Sequence, residues 1–361
     1  MKFIEEYRNP AIIEKFLNLI KKESETIHKI NLMEVCGTHT MQIGKFGIRK
    51  VLPENINLIS GPGCPVCVSP NSYIDKAIEY SKIPHVIIAT FGDMMKVPGS
   101  FSSLEKEKSK GAKIEVVYSP FDALKIAQKN PSKNVVFLGI GFETTSPCVA
   151  ATVIEAKRKN IKNFFVFSGH KLIPPAMEVL LKEEVKIDGF ICPGHVSTII
   201  GSIPYRFIPE KYGIPCVIAG FEPVDILLAI LSLIRMVVKK IPEVEIQYRR
   251  SVKENGNEKA KRIMNEVFEI VDSEWRGLGE IPESGLKMRE DYQEFDAEKK
   301  FKVEIKESRE YPECICGEIL KGLKTPKQCK LFRKVCNPEN PVGPCMVSSE
   351  GTCAAYYRYE R

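Results

Sequence analysis

The sequence predicts an α/β protein: two parallel-sheet α/β domains with a cleft between them, plus a C-terminal helical, cysteine-rich domain. Three observations carry this. Between Asn31 and about Gly220, short apolar runs recur, each ending in a loop of Gly, Pro, Thr, His or Cys, often with a helical pattern behind it. Near-continuous apolar strands alternating with helices are the mark of parallel sheets covered on both faces. Finally, six of the twelve cysteines fall between Cys314 and Cys353, well away from those runs.

In chain order, residues 1–30 read as an N-terminal helix packing on the rest, with Ile12, Ile13, Phe16, Leu17 and Ile20 on one face of Pro10 to Lys29. Eight strand-like runs follow. They end at Glu34–His39, Leu58–Gly63, Ile87–Asp93, Glu115–Pro120, Phe137–Thr145, Phe165–Lys171, Phe190–Ser197 and Val217–Glu222. Two four-strand domains fit them better than one sheet, with a split near Gln128–Ser132, giving 31–130 and 131–222. The third region is 223–361: an apolar helix from Val224 to Lys239, an amphipathic helix from Asn257 to Trp275 buried through Ala260, Met264, Val267, Phe268 and Val271, a weakly patterned stretch to about Glu310, and the cysteine tail. In open α/β sheets ligands bind beyond the carboxyl ends of the strands. The reactive residues all follow strands, so they are expected at facing sheet edges.

Composition excludes several classes. Lys and Arg (53) exceed Asp and Glu (46) by a formal charge of +7, but the charges interleave, which describes a solvated surface rather than a nucleic-acid groove. Met1 to Arg8 carries acids where a leader needs an apolar run, and the most apolar stretch, Ile226 to Val238, contains Arg235 and is too short to span a bilayer. A cytoplasmic protein with no membrane contact is expected. In a reducing compartment, twelve cysteines point to metal or redox chemistry before structural disulfides.

The first such stretch is Ser60 to Pro70, with Cys64 and Cys67 on a Gly/Pro loop. Ser69 as a cap and Pro70 at the first helical position would set both sulfurs near the positive end of a helix dipole, favouring thiolate. A CxxC before a helix is also the thioredoxin arrangement, so exchange and metal binding both stay open here. Zinc would need two more ligands, and none lies nearby. Cys36, three residues before His39, ends an adjacent strand; with Cys64 and Cys67 it offers three soft ligands suited to iron or zinc. Gly139–Thr145 has a GxG but neither a third glycine in register nor a P-loop Lys, so it is a weak nucleotide signal. His39, His170 and His195 all fall in strand-end loops, which favours a polar cleft; Glu143, Asp93 and Lys96 are further candidates. The tail runs Cys314-x-Cys316, then Cys329, Cys336, Cys345 and Cys353. Six thiols exceed one zinc; four suffice for a [4Fe–4S] cluster and two for a redox disulfide.

As a set, CGTHT at 36–40, GPGCPVCV at 61–68, FGD at 91–93, GFETT at 141–145, SGHK at 168–171, PGHVS at 193–197 and the six-cysteine tail resemble the HypD family of [NiFe]-hydrogenase maturation proteins, in order and through essentially the whole chain. The resemblance implies two α/β domains plus a [4Fe–4S] domain. It implies a scaffold, rather than a conventional turnover enzyme, on which an Fe(CN)2CO unit is assembled with a HypC-type chaperone, receives cyanide from a HypE-type donor, and passes to the hydrogenase large subunit. Cys36, Cys64 and Cys67 are then the iron-holding cysteines, with His39, His195 and Glu143 as catalytic candidates. The tail is similar to that of ferredoxin:thioredoxin reductase, which implies Cys314, Cys329, Cys336 and Cys353 as cluster ligands and Cys316 with Cys345 as the redox pair. The rival expectation is a cluster-dependent thiol–disulfide reductase working through Cys64 and Cys67; a nucleotide-dependent transferase on the 139–145 loop is third.

Overall fold

Valine, isoleucine and phenylalanine runs form the strands. In the computed structural model, which describes residues 5–183 and 185–360, the first eight are β1 (Ile30–Glu34), β2 (Ile56–Ser60), β3 (Val86–Thr90), β4 (Ile114–Val116), β5 (Asn134–Gly139), β6 (Phe164–Ser168), β7 (Gly189–Pro193) and β8 (Cys216–Ala219). A short β9 (Val244–Ile246) follows. Met1 to Ile4, the start of the stretch read as lacking a leader, lie outside the described residues.

The strands form two parallel sheets. One has the order β2-β1-β7-β8-β9, the other β4-β3-β5-β6. Their membership differs from the expected division, which would place β1 to β4 together. Instead the chain leaves the first sheet after β2, builds the whole second sheet between residues 86 and 168, and returns at β7 to the free side of β1. An apolar run buried on both faces specifies a strand but carries no label for its neighbour, which is why the sequence pattern misassigned the partners. The register sets the edges: Glu34 is level with Ser60 and with Ile191, and Pro193 with Ala219. The loops that follow β1, β2 and β7 therefore leave from one edge.

Two further elements differ from expectation. The first helix is Pro10–Ser24, started by Asn9, whose side chain accepts from the Ala11 amide. The expected helix from Asn257 to Trp275 stops early. Asn257 caps a helix Glu258–Val267, and Phe268–Trp275 is β10, antiparallel to β11 (Gly279–Met288). The 268–275 segment carries Phe268, Ile270, Val271 and Trp275, residues that suit a strand, and a hairpin partner lets it pair as a ribbon with an irregularity between Val271 and Ser273. Met264, Val267, Phe268, Leu286 and Met288 from this unit pack against Val135 and Phe137 of the second sheet. The apolar helix, Pro223–Lys239, covers the first sheet through residues such as Ile226, Ile230 and Leu233. Among the described residues no helix is long and apolar enough to cross a membrane.

The cysteine tail folds back on both sheets. Helix Cys316–Leu320 is held against the β10–β11 turn, where Gly277 and Gly317 touch. The last helix, Thr352–Tyr359, lies on helix Gly37–Lys45, with Arg49 bonded to both Glu360 (2.6 Å) and Ser60 (2.9 Å). Gly277 has φ of +76°, and a Cβ there would sit 2.4 Å from the Gly317 Cα. Gly277→Ala is therefore expected to cost about 1–3 kcal/mol locally. Hydrogen exchange should show amides of 316–320 losing protection while those of β5 and β7 keep theirs.

Candidate metal and thiol centre

Cys36 is the N-cap residue of helix Gly37–Lys45, and Cys64 that of the short helix Pro65–Val68. Because β1 and β2 are neighbours in register, their exits run side by side. The Gly61 amide donates to the Glu34 carbonyl and the Gly37 amide to the Gly63 carbonyl, both at 2.8 Å. A Cβ on Gly63 would lie 2.4 Å from the Cys36 backbone, so only glycine lets the two cysteine loops stack. Cys36 and Cys64 line one cleft of about 330 Å³. Phe91, Asp93, Thr144 and Thr145 come to it from the second sheet, His195 from the β7 exit, and Ser348 and Glu350 from the tail.

Burial governs the thiols. It pushes Cys36 up to about 12, reinforced by the negative charge of Glu350. Cys67 is 1% exposed and also pushed well up, again chiefly by burial. The thiolate expected from a helix dipole at the CxxC is thus overturned for Cys67. The reason is visible in the helices: Pro65–Val68 is a single turn, and the next helix, Asn71–Lys82, has Pro70 as its cap residue rather than its first member. Ser69 does not cap; its hydroxyl donates to the Pro65 carbonyl at 2.9 Å. Glu34, fully buried behind Cys36, accepts from Thr40 (2.6 Å) and the Cys36 amide (3.3 Å), and burial lifts its carboxyl to about 7.

The remaining candidates scatter. His195 is exposed in the cleft, its ring 4.1 Å from that of Phe221, and burial on one side lowers it despite Glu350. His39 is fully buried, with Nε2 on the Gly220 carbonyl at 2.9 Å and burial lowering it to about 4; it is not among the cleft-lining residues. Glu143 is likewise outside the cleft. It accepts from the Ile173 amide (3.0 Å), capping helix Ile173–Leu180, and burial raises it to about 7. His170, hydrogen-bonded through Nδ1 to Ser168, is buried and lowered to about 3. Lys96 is exposed and absent from the cleft lining. Glu350 was missed. It lies in a Ser-Ser-Glu-Gly loop more than 300 residues from Cys36, with no local pattern to mark it; Thr38 donates to it at 2.6 Å.

The tail cysteines meet the CxxC from below. Cys345 has Cys316, Cys353 and Cys67 within side-chain reach, Cys67 reaches on to Cys64, and Cys316 to Cys314. The Cys316 and Cys345 sulfurs are 2.6 Å apart. Cys336 has Cys353 and Cys314 as neighbours and accepts from the Val342 amide at 3.4 Å; Cys329, half-buried, packs against the same core. Among the described residues no three His, Cys, Asp or Glu side chains stand in a ready-made metal geometry. The donor chemistry nonetheless fits a thiophilic group. Cys314, Cys329, Cys336 and Cys353 are the all-cysteine set that iron–sulfur clusters take, with an amide already aimed at one sulfur.

The sequence of the chain matches known proteins almost end to end. The family model HypD, described as the hydrogenase formation hypA family, covers residues 11–360. The chain is 48% identical over 369 residues to the hydrogenase expression/formation protein HupD of Azotobacter chroococcum, covering 100% of this chain and 97% of that one. It is 47% identical over 370 residues to the hydrogenase maturation factor HypD of Cupriavidus necator (100% and 98%), and 44% over 368 residues to that of Escherichia coli (100% and 99%). The chain belongs to the HypD family.

A thiol held near 12 reacts slowly at neutral pH, because only the thiolate attacks. Iodoacetamide labelling of Cys36, followed by mass spectrometry, should therefore accelerate about tenfold per pH unit from pH 7 to 9. Glu350→Gln keeps an acceptor for Thr38 but removes the negative charge. It lowers the Cys36 value and should speed labelling at fixed pH; an unchanged rate would show that burial alone sets it.

Proposed function

We propose that this chain is a hydrogenase maturation factor that serves as the scaffold for the Fe(CN)2CO unit, with Cys36 and Cys64 as the thiolate anchors in the cleft and Cys67 as the link to the tail. The observation that carries this reading is the stacking of two strand-end cysteines into one cleft, with Cys64 neighbouring Cys67 and Cys67 neighbouring Cys345. Iron carrying strong-field diatomic ligands is a soft-acceptor cargo, and thiolates on short glycine loops hold such cargo without enclosing it. Two protein sulfurs leave coordination positions open, as delivery of a unit requires.

The cleft also handles the protons. Each thiol must lose one to bind iron, and the His195 ring, whose burial favours its neutral form, stands in the same cleft to take it. Phe91, Phe142 and Val196 supply an apolar wall that limits water around the cyanide and carbonyl groups. A [4Fe–4S] cluster on Cys314, Cys329, Cys336 and Cys353 would supply single electrons when bound. Cys345, beside both Cys316 and Cys67, is placed to pass a disulfide bond from one pair to the other by thiol–disulfide exchange. His39 and Glu143, buried away from the cleft, then support the loops rather than touch cargo. A HypC-type chaperone and a HypE-type cyanide donor are the partners this reading implies, in the cytoplasm, with the hydrogenase large subunit as recipient.

The sulfur chain also favours a second reading, a cluster-dependent thiol–disulfide reductase. Infrared spectra separate the two: CO and CN bands on stoichiometric iron in the anaerobically purified complex with the chaperone support the scaffold, whereas catalytic turnover of a disulfide by the chain alone supports the reductase. Cys36→Ala should abolish hydrogenase maturation while circular dichroism and the tail's iron and sulfide content are unchanged. Full maturation in both Cys36→Ala and Cys64→Ala would sink the scaffold reading.

A further inference from the structure

The sulfur chain has a second mouth. On the tail side a groove of about 490 Å³ is lined by Cys314 and Cys316, with Arg276, Arg309, Phe101 and Tyr311 around them. Cys345 is not part of its lining, so Cys316 is the member of the close pair that borders the groove. We propose that this groove is an entry port for a small anionic thiol, which reduces a Cys316–Cys345 disulfide by attack at Cys316. The proposal rests on the exchange relay described above and adds its external electron source.

Four observations define the ligand class. The volume falls in the range of small-molecule sites, roughly 300–1,000 Å³. Cys316 is only 3% exposed, so a slender thiol reaches it and a cysteine on the surface of a folded protein does not. The charge balance is positive. Arg276 is already committed, to the Ser69 carbonyl, to Asn71 and to Glu310, which neutralises it. Arg309 has no carboxylate partner among the described residues, which leaves one free cation in the lining to attract a carboxylate on the incoming thiol. Phe101 (64% exposed) and Tyr311 (50%) supply apolar surface for the rest of such a molecule.

The step balances. An external thiolate attacks Cys316, the Cys316–Cys345 bond breaks, and Cys345 leaves as thiolate and takes a proton. A second external thiol attacks the mixed disulfide, releasing Cys316 and an external disulfide. Two thiols are oxidised and one disulfide is reduced. Cys345 then attacks Cys67 of a Cys64–Cys67 disulfide, freeing Cys64, and Cys316 attacks Cys345 to release Cys67. Reducing equivalents thus reach the cleft from the opposite face.

The test uses the full-length protein, purified anaerobically, with both pairs oxidised. Mercaptoacetate, 2-mercaptoethanol and cysteamine serve as anionic, neutral and cationic probes, with acid quenching and mass spectrometry of the adducts. The first mixed disulfide is expected on Cys316, with free Cys64 and Cys67 appearing later. A first adduct on Cys345 or Cys64 overturns the port. Arg309→Glu, a surface substitution, should shift the mercaptoacetate-to-cysteamine rate ratio by roughly three- to tenfold toward cysteamine; an unchanged ratio overturns the anionic specificity. The comparison of ratios cancels the intrinsic reactivity of each thiol. If Cys316 takes the adduct but Cys64–Cys67 stays oxidised, the port stands and the relay falls. If Cys64–Cys67 is reduced with no adduct at Cys316, the relay stands and the port falls.

Discussion

The contact between Gly63 and the backbone of Cys36 is the constraint on which the cleft depends. Parallel pairing of β1 with β2 brings the two loops level, but adjacent strands lie about 4.8 Å apart, and a side chain between their exits would wedge the loops open. Glycine at 63 removes the wedge, and two short amide–carbonyl bonds lock the loops together. Gly37 does the same on the other side, where a Cβ would sit 2.5 Å from the Cβ of Glu350. Cys36 is thus clamped between the CxxC loop and the tail. The three segments that supply the cleft's sulfur and charge meet through backbone contact rather than through long side chains.

Burial and the helix dipole pull these thiols in opposite directions, and their sizes decide the outcome. A helix terminus contributes about 0.3–1 kcal/mol near the surface and less from a single turn. A pKa unit corresponds to about 1.36 kcal/mol, so raising Cys36 from 9 to about 12 reflects a far larger opposing effect. The resting protein therefore holds Cys36 and Cys67 as thiols. A group that deprotonates only when a strongly bonding metal or an exchange partner displaces its proton is protected from indiscriminate oxidation.

Much of this was legible in the sequence, and the rest failed for identifiable reasons. The eight strand runs were found because apolar β-rich segments bounded by Gly and Pro are a local signal. Cys36 and Cys64 came to the same edge because both follow neighbouring parallel strands. Sheet membership was misread because β7 returns across more than 120 residues to pair with β1, and nothing local marks that pairing. The split of residues 257–275 into a helix and a strand was hidden because Phe268 and Val271 continue the helical spacing while the hairpin partner lies beyond them. His39 and Glu143 share loops with cleft residues, yet both turn into the core; residue type and position do not reveal which way a side chain points. Glu350 reaches the cleft only by tertiary folding of the tail.

The tail reaches the cleft and the CxxC through one short segment. Between Cys345 and Gly351 the backbone makes a tight return, close enough that a Cβ at Gly351 would lie 2.2 Å from the Cys345 carbonyl oxygen. One end of this return holds Cys345 against Cys67; the other sets Glu350 against Thr38 and Gly37, beside Cys36. Such a short, glycine-constrained segment cannot shift at Cys345 without carrying strain to Glu350. A carboxylate so placed raises the cost of a thiolate on Cys36 and stabilises a cation beside it. The sulfur of Cys345 and the charge of Glu350 that raises Cys36 are therefore joined within seven residues of the tail.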